Sequence, residues 1–228
     1  MNYDGIVSRY LNRPLSRPIA RALSGTSITP NAVTLFTLLL AVATGGLVAA
    51  GWNIAGGIGI QAVSVIDGVD GELARLKRLA SRFGAVLDAV VDRYADALII
   101  GGMTIFAFRF EDYPRPEVIG MLALSGALLV SYSRARIEAS LLRPGEGGSS
   151  PRLNDSVFGL ASRDVRSLVA AIGTIAGQCY WTLALLAAMS LLTVAWRLVY
   201  LRFARREEGG GRRAGGERQE ARGESDAP

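Results

Sequence analysis

Four aspartates stand close together within residues 67–92, which read DGVDGELARLKRLASRFGAVLDAVVD. Their spacing is D-x2-D-G-x2-A-R-x8-G-x3-D-x3-D. Asp67 and Asp70 are three residues apart, and Asp88 and Asp92 are four apart, so each pair lies on one face of a helix. Because the basic turn at 77–82 reverses the chain, two antiparallel helices would bring all four carboxylates together.

Four adjacent carboxylates repel one another unless they are protonated or share a cation. Oxygen ligands suit hard ions such as Mg²⁺, Mn²⁺ or Ca²⁺, and four aspartates suffice for two ions that clamp the phosphate oxygens of an in-line displacement. The chain has no His and one Cys, Cys179, which excludes an imidazole base, a thiolate metal site and an internal disulfide. Acid–base or metal chemistry therefore depends on the carboxylates.

Small residues and an arginine accompany the aspartates. Gly71, Gly84 and Ala74 remove bulk beside the acids, so that a large ligand can approach the backbone. Arg75 lies about one helical turn past Asp70 and can bind a phosphate or a base. The alternative is a set of membrane-interface charges in which the acids pair with basic neighbours. Those neighbours are Arg75, Lys77, Arg82 and Arg93.

The elements that must position this site are apolar helices. Half of the 228 residues are hydrophobic, and they form runs long enough to cross a membrane. We predict an all-α integral membrane protein with six transmembrane helices, at 32–51, 54–76, 84–108, 117–138, 157–177 and 179–203. An N-terminal juxtamembrane amphipathic helix precedes them, and Pro14 and Pro18 are expected to interrupt it. Its arginines recur every four residues, at Arg9, Arg13, Arg17 and Arg21.

The distribution of Lys and Arg predicts which side of the membrane each loop faces. The N-terminal segment, the loops after the second and fourth spans and the C-terminal tail are basic, so both termini and the aspartates are expected on the cytoplasmic side of the cell membrane. These flanks, and not nucleic-acid binding, explain the net charge of +5. The chain divides into a cytoplasmic juxtamembrane segment (1–31), a six-helix domain (32–203) and a disordered cytoplasmic tail (204–228), with a flexible loop at 143–156.

The aspartate-rich stretch resembles the signature of the CDP-alcohol phosphotransferases, also called CDP-alcohol phosphatidyltransferases, at all eight motif positions. These positions are Asp67, Asp70, Gly71, Ala74, Arg75, Gly84, Asp88 and Asp92. The resemblance implies a polar cavity open to the cytoplasm and two divalent cations, Mg²⁺ or Mn²⁺, bound by the four aspartates. It implies that Asp92 is also the general base, which takes a proton from an acceptor hydroxyl. That hydroxyl attacks the phosphorus distal to the cytidine, and CMP leaves. The implied CDP-binding residues are Thr29, Pro30, Asn31, Gly71, Arg75 and Ser81.

Two basic clusters near the acidic site resemble family segments that line the acceptor pocket in members using inositol phosphate. The clusters are Arg134 with Arg136, and Arg163 with Arg166. They either bind an anionic acceptor, such as a phosphorylated polyol, or anchor the helix ends on the positive side of the membrane. A narrower resemblance, to the membrane domain of di-myo-inositol-phosphate-phosphate synthases, implies transfer from CDP-inositol to inositol phosphate. It rests on SRYLNRPLSRPIARAL, ITPN, DGVDGELARLK, SRFGAVLDAVVDRYADALI and SRDVR.

Other functions remain open from the sequence. The close alternative is a CDP-diacylglycerol-dependent phosphatidyltransferase of phospholipid biosynthesis. An aspartate-rich membrane prenyltransferase would show two separated acidic motifs, and a non-enzymatic cation transporter has no use for Arg75 beside its acids. AGGIGIQA at 55–62 imitates part of a dinucleotide fingerprint, but small residues in a predicted span are better explained by close helix packing. Small-residue faces such as 45–51 permit a homodimer, which the family resemblance also suggests.

Overall fold

A computed structural model describes residues 7–141, 162–199 and 202 of the chain. These residues form helices, with no strand among them, and the all-α prediction is confirmed. After a π-helical segment at Ser8–Asn12, the described ranges contain seven α-helices. They are α1 (Arg13–Ser24), α2 (Pro30–Ala49), α3 (Asn53–Leu76), α4 (Arg82–Phe110), α5 (Pro116–Leu141), α6 (Arg163–Ile175) and α7 (Cys179–Val199).

The N-terminal helix α1 is amphipathic, as predicted. Ser16 and Ala20 are buried against the bundle, whereas Arg17 and Arg21 on the same helix are exposed. The prolines do not interrupt it: α1 continues through Pro18, and Pro14 sits in its first turn, where an amide N–H would have no helical partner. The irregularity lies earlier, in the π-helical segment that ends at Asn12.

Helix α3 contacts more elements of the described bundle than any other helix. It packs against α1, α2 and α6, while α2 also contacts α4, and α5 contacts α4. Glycines let these backbones approach closely. A Cβ added at Gly45 would lie 2.6 Å from the Leu98 carbonyl oxygen on α4, and one at Gly57 would lie 2.7 Å from the Ala171 carbonyl oxygen on α6. The face at 45–51 is therefore used in part within the chain, and 55–62 packs helices, as predicted.

Three of the described helices are long and apolar enough to cross a membrane, namely Pro30–Ala49, Pro116–Ile137 and Cys179–Val199. The predicted count of six spans is not confirmed. For α3 and α4 the reason is visible in the sequence, because charged residues in and around the aspartate motif occupy the last ten residues of α3 and the first half of α4. The uncharged stretches that remain are residues 53–66 of α3 and 97–108 of α4. They measure about 21 Å and about 18 Å, against about 30 Å of hydrocarbon in a bilayer.

Several sequence-based predictions fall outside the described residues. These are the flexible loop at 143–156, the tail at 204–228 and residues 157–161 at the start of the fifth predicted span. The described part of that span is α6, which has 13 residues. The core that joins the helices is formed by side chains of α2 to α7, among them Val48, Ile60, Met103, Ala127 and Leu183.

Candidate active site

The turn between α3 and α4 brings three of the four predicted carboxylates together. One oxygen of each of Asp67, Asp88 and Asp92 lies within 4.8 Å of the others, and all three side chains are partly buried. Lys77 ends α3, and Ser81 begins α4 as its N-cap, so only a short turn separates the two helices. The prediction that antiparallel helices bring these aspartates to one place is confirmed for these three.

Asp70 lies beside this cluster and is oriented by other groups. Its Oδ2 accepts a hydrogen bond from the Thr34 hydroxyl at 2.6 Å, and its Oδ1 accepts one from the Gly71 N–H at 2.5 Å. Asp70 is 7% exposed and lines the same cavity as Asp67 and Asp88. Its role as a metal ligand stays a prediction.

A polar cavity of about 210 Å³ extends from the aspartates toward the N-terminal segment. Its walls come from the π-helical segment, α1, α3, α4 and the start of α6. The lining residues are Ser8, Asn12, Arg13, Ser16, Ser64, Asp67, Gly68, Asp70, Gly71, Glu72, Arg75, Asp88 and Asp164. The cavity therefore joins the motif aspartates to two predicted CDP-binding residues, Gly71 and Arg75.

The predicted segment Thr29 to Asn31 begins α2 and faces the start of α4. Thr29 is the N-cap of α2, and its hydroxyl accepts a hydrogen bond from the Ala32 N–H at 3.2 Å. Pro30 takes the first helical position, where its fixed φ fits a helix start. Asn31 Oδ1 lies 3.2 Å from the place that a Cβ on Gly84 would take.

Ser81 and Gly84 form the matching start of α4. The Ser81 hydroxyl accepts a hydrogen bond from the Gly84 N–H at 3.0 Å, which is a side-chain N-cap. A Cβ at Gly84 would lie 3.1 Å from Ser81 Oγ. The motif glycine therefore leaves room between Asn31 and Ser81, two residues predicted to bind CDP.

Arg75 reaches the cavity from the last turn of α3. Its Nη2 lies 3.2 Å from Glu72 Oε1, and that oxygen also lies 3.7 Å from Arg17 Nε on α1. The Arg75 side chain is 57% exposed, so it can turn toward a phosphate group without losing a buried partner.

The predicted acceptor arginines fall into two groups. Arg163, at the start of α6, forms an ion pair with Asp67, and its Nη1 lies 2.8 Å from Asp92 Oδ1. Arg166 is buried, with Nη1 at 3.4 Å from Ser190 Oγ and Nη2 at 3.9 Å from Asp96 Oδ2. Arg134 and Arg136 lie exposed near the end of α5. The structure thus brings Arg163 to the motif aspartates and Arg166 to Asp96, one helical turn beyond Asp92.

Sequence reasoning missed a hydrogen-bonded group around Asn12, which is 3% exposed. Its amide nitrogen donates to Ser64 Oγ at 3.0 Å and to Asp164 Oδ1 at 3.2 Å, and its Oδ1 accepts from Gln61 Nε2 at 2.8 Å. These bonds join the N-terminal segment to α3 and α6 at the cavity wall. In the sequence, the only indication of these hydrogen bonds was that Asn12 is a polar residue between the arginines of a basic helix.

The donor set fits hard divalent cations. Three carboxylates with oxygens within 4.8 Å, partly shielded from water, offer the oxygen ligands that Mg²⁺ and Mn²⁺ prefer. Without a cation, arginines compensate the charges of Asp67 and Asp92, whereas Asp88 forms no ion pair within 4 Å among the described residues. Asp67, Asp88 and Asp92 are therefore the residues that could hold a metal ion, with Asp70 beside them.

Comparisons with known proteins agree with this arrangement. A family model described as CDP-alcohol phosphatidyltransferase matches residues 27–201. The bifunctional IPC transferase and DIPP synthase of Rubrobacter xylanophilus is 42% identical over 175 residues, which cover 76% of this chain and 37% of that protein. The phosphatidylinositol phosphate synthase of Mycobacteroides abscessus is 32% identical over 203 residues, covering 86% and 87%. Matches to the first bifunctional relatives span between 31% and 42% of their length.

The fold is similar to solved structures of the phosphatidylinositol phosphate synthase of Mycobacterium tuberculosis. The structure with CDP-DAG bound aligns with a TM-score of 0.65 and 30% identity, and covers 81% of this chain and 92% of that one. The structure in complex with manganese and citrate also aligns with a TM-score of 0.65 and 30% identity, over 80% and 87%. The helical arrangement that brings the aspartates together is thus similar to one that has been solved with a CDP-linked lipid and with manganese.

Proposed function

This chain belongs to the CDP-alcohol phosphatidyltransferase family, and on that premise we propose that it transfers a phosphoinositol group from CDP-inositol to inositol phosphate and releases CMP. The observation that carries the proposal is the meeting of the Asp67, Asp88 and Asp92 oxygens within 4.8 Å beside a polar cavity. The relative from Rubrobacter xylanophilus supports this donor, because its name describes a DIPP synthase. The family membership argues against the transporter and prenyltransferase alternatives.

Two divalent cations, Mg²⁺ or Mn²⁺, are proposed as cofactors, with Asp67, Asp88 and Asp92 as ligands and Asp70 as the fourth. When bound, such ions supply positive charge that neutralises the pyrophosphate of the donor and the departing CMP. The chain's own contribution is to fix the carboxylates, because α3 and α4 are rigid helices and the Thr34 hydroxyl orients Asp70. Manganese in the structure of the similar synthase supports this choice of ion.

Asp92 is the proposed general base. The acceptor hydroxyl gives its proton to the Asp92 carboxylate while its oxygen forms a bond to the distal phosphorus. The bond between that phosphorus and the bridging oxygen breaks, and the electron pair leaves with CMP. Arg163 and Arg166 would hold the acceptor phosphate beside Asp92, because Arg163 already lies 2.8 Å from this carboxylate.

The nucleotide half of the donor is proposed to lie between the starts of α2 and α4 and the end of α3. Thr29, Pro30, Asn31 and Ser81 form one side of this space, and Gly71 with Arg75 forms the other. The absence of a side chain at Gly84 keeps the space open, since a Cβ there would crowd both Asn31 and Ser81.

A second candidate donor is CDP-diacylglycerol, and one observation favours it. An apolar groove of about 580 Å³ lies between α1, α3 and α6, with Leu15, Ile66 and Ile172 among its walls. Gln61 lines this groove and donates a hydrogen bond to Asn12, which lines the polar cavity. Acyl chains in the groove would therefore be continuous with a CDP group in the cavity.

The finer topology is part of the same proposal. We propose six membrane spans within 32–203, with both termini, the segment 1–31 and the tail 204–228 on the cytoplasmic side of the cell membrane. The basic loops support this orientation. A homodimer is proposed from the family resemblance, and Gly46 offers an unobstructed small-residue surface for it, since a Cβ there would have no neighbour within 4 Å among the described residues.

The test keeps the acceptor fixed and changes the donor. The purified chain in detergent, with Mg²⁺ and inositol phosphate, is given CDP-inositol or CDP-diacylglycerol, and released CMP is measured. Asp92→Asn serves as the blank, and Asp112→Asn, an exposed residue beyond the far end of α4, is the charge-matched control. Release from CDP-inositol alone supports the first proposal, and release from CDP-diacylglycerol alone replaces it by the second. No release from either donor in folded protein contradicts both.

A further inference from the structure

Arg163 lies between two sets of carboxylates. On one side it pairs with Asp67, and its Nη1 lies 2.8 Å from Asp92 Oδ1. On the other side its Nε lies 3.6 Å from Asp96 Oδ1. One guanidinium therefore contacts two of the aspartates that fit a metal ion and also a third aspartate that is outside the motif.

A divalent cation and this guanidinium compete for the same oxygens. Carboxylate oxygens that bind a guanidinium offer fewer lone pairs to a hard cation, and two positive groups at such short distances repel each other. When a cation binds Asp67 and Asp92, Arg163 must move away from them. Because its side chain is 21% exposed, its charge still needs a partner after the move.

Asp96 has the properties of that partner. It lies one helical turn beyond Asp92 on α4, and its side chain is 15% exposed. It also meets two other arginines, at 3.3 Å from Arg93 and 3.9 Å from Arg166. Within the described part of the chain, Arg163 Nε is buried and has no hydrogen-bond partner, although it lies 3.6 Å from Asp96 Oδ1. Asp96 Oδ2 forms ion pairs with Arg93 and Arg166 but accepts no hydrogen bond from them. An unused donor of Arg163 thus already faces the Asp96 carboxylate.

Space for the movement lies on the Asp96 side. A cavity of about 40 Å³ is lined by Asp96, Arg163, Arg166, Ser167 and Ser190, among other residues. This volume exceeds the roughly 10–15 Å³ that one water molecule needs. A guanidinium that swings from Asp92 toward Asp96 would enter a space whose walls are largely apolar but include the Asp96 carboxylate and the hydroxyls of Ser167 and Ser190.

We propose that Asp96 is a positioning residue, which receives the Arg163 guanidinium when divalent cations bind Asp67 and Asp92. Asp96 then keeps the guanidinium beside the aspartates, where it faces an acceptor phosphate. The acceptor part of this role rests on the proposed function, whereas the metal part rests only on the contacts of Arg163 and can be measured without any substrate.

The test is a double-mutant cycle on Mn²⁺ affinity. Mn²⁺ binding to the purified full chain in detergent is followed by electron paramagnetic resonance of the free ion, for wild type, Asp96→Asn, Arg163→Gln and the double variant. Asp96→Asn is expected to lower the affinity about tenfold, because Arg163 stays on the metal carboxylates. Arg163→Gln raises the affinity, and adding Asp96→Asn to it changes the affinity little. Asp112→Asn is the control for loss of one negative charge far from the site.

Two outcomes overturn the proposal. If Asp96→Asn lowers the Mn²⁺ affinity equally with and without Arg163, Asp96 acts only through the field of its charge. If it changes nothing in either background, Asp96 has no part in metal binding. Asp96→Glu keeps the charge and moves it by one methylene group, so it can replace Asp96→Asn in the cycle if the Asn variant does not fold. Its effect on the Mn²⁺ affinity should depend on the presence of Arg163. An equal effect with Arg163 and with Arg163→Gln would again contradict the proposal.

A second readout separates this role from a merely structural one. Asp96→Asn should raise the KM for inositol phosphate more than the KM for the CDP donor, because Arg163 belongs to the acceptor side. If the wild type releases CMP but the Mn²⁺ cycle shows no coupling, the positioning role fails while the proposed function stands. If no donor yields CMP, the Mn²⁺ cycle still decides the metal part by itself.

Discussion

The hydroxyl of Thr34 on α2 donates a 2.6 Å hydrogen bond to Oδ2 of Asp70 on α3, across 36 positions of the sequence. Both residues are buried, at 4% and 7% exposure. The bond fixes the orientation of a motif carboxylate from a helix that carries no charged residue. It also couples Asp70 to the helix that begins at Thr29, on the proposed nucleotide side.

Thr34→Val removes this hydrogen bond while nearly preserving the shape of the side chain. The free energy of unfolding is expected to fall by about 1–3 kcal/mol, because a buried carboxylate oxygen loses its partner. CMP release should fall as well, since Asp70 can then turn away from the cavity. Thermal unfolding in detergent and steady-state kinetics measure the two effects.

Thr37→Val is the matched control for Thr34→Val. Thr37 is also buried on α2, but its hydroxyl donates to the carbonyl oxygen of Val33 in its own helix, at 3.0 Å. Its replacement should leave CMP release close to that of the wild type. Thr34→Ser keeps a hydroxyl and should therefore retain most of the CMP release that Thr34→Val loses. Equal losses for the two valine variants would mean that Thr34 acts only through helix packing.

The local parts of the site were predictable from the sequence, because spacing on a helix determines which side chains share a face. The pairs Asp67/Asp70 and Asp88/Asp92 and the basic turn between them followed from this rule. The partner of Asp70 did not, although buried threonines recur along one face of α2, at Thr34, Thr37 and Thr44. That stripe of hydroxyls in an apolar helix was the available signal.

Contacts between distant elements were beyond sequence reasoning. The sequence placed Arg163 at a helix start on the side of the aspartates, but only the packing of α6 against α3 sets it between Asp92 and Asp96. The number of spans was uncertain for a similar reason. A hydropathy pattern cannot show whether the charged end of a helix such as α3 lines an internal cavity or leaves the membrane.

Gly84→Ala should raise the KM for the CDP donor about fivefold, which corresponds to about 1 kcal/mol of binding. The added methyl group would lie 3.1 Å from Ser81 Oγ and 3.2 Å from Asn31 Oδ1, so one of these side chains must shift. Gly101→Ala on the same helix is the control, because a Cβ there would have no neighbour within 4 Å among the described residues. An unchanged KM in Gly84→Ala would argue against a nucleotide site between Asn31 and Ser81.

Removal of divalent cations by a chelator should abolish CMP release, and Mn²⁺ or Mg²⁺ should restore it. Binding of Mn²⁺, counted by electron paramagnetic resonance, is expected to reach two ions per chain in the presence of a CDP donor. Asp88→Asn should lower both the number of bound ions and CMP release, because Asp88 supplies one of the three clustered oxygens. Full activity in the chelated protein would refute the metal-dependent mechanism.

Lys77→Met should weaken binding of the CDP donor at the proposed nucleotide site. Lys77 ends α3, and its Nζ donates hydrogen bonds to the carbonyl oxygens of Thr26 at 2.6 Å and Ile28 at 2.7 Å. These bonds hold the turn that precedes Thr29 against the helix that carries Asp70. Their loss is expected to lower the free energy of unfolding by about 1 kcal/mol and to raise the KM for the CDP donor. Lys77→Arg should keep both the free energy of unfolding and the KM close to their wild-type values.

Glu111→Ala separates the effect of Lys77 on the donor from a general loss of stability. Glu111 lies at the opposite end of α4, where its two carboxylate oxygens accept hydrogen bonds from the Cys179 and Tyr180 N–H groups, at 2.6 Å and 2.8 Å. Because it caps the start of α7, its loss should cost about 1 kcal/mol of stability without changing the KM for the donor. If Lys77→Met and Glu111→Ala lower the melting temperature equally and both leave that KM unchanged, Lys77 is only a structural link. A rise in KM confined to Lys77→Met would instead mean that the turn before Thr29 must be held in place for the donor to bind.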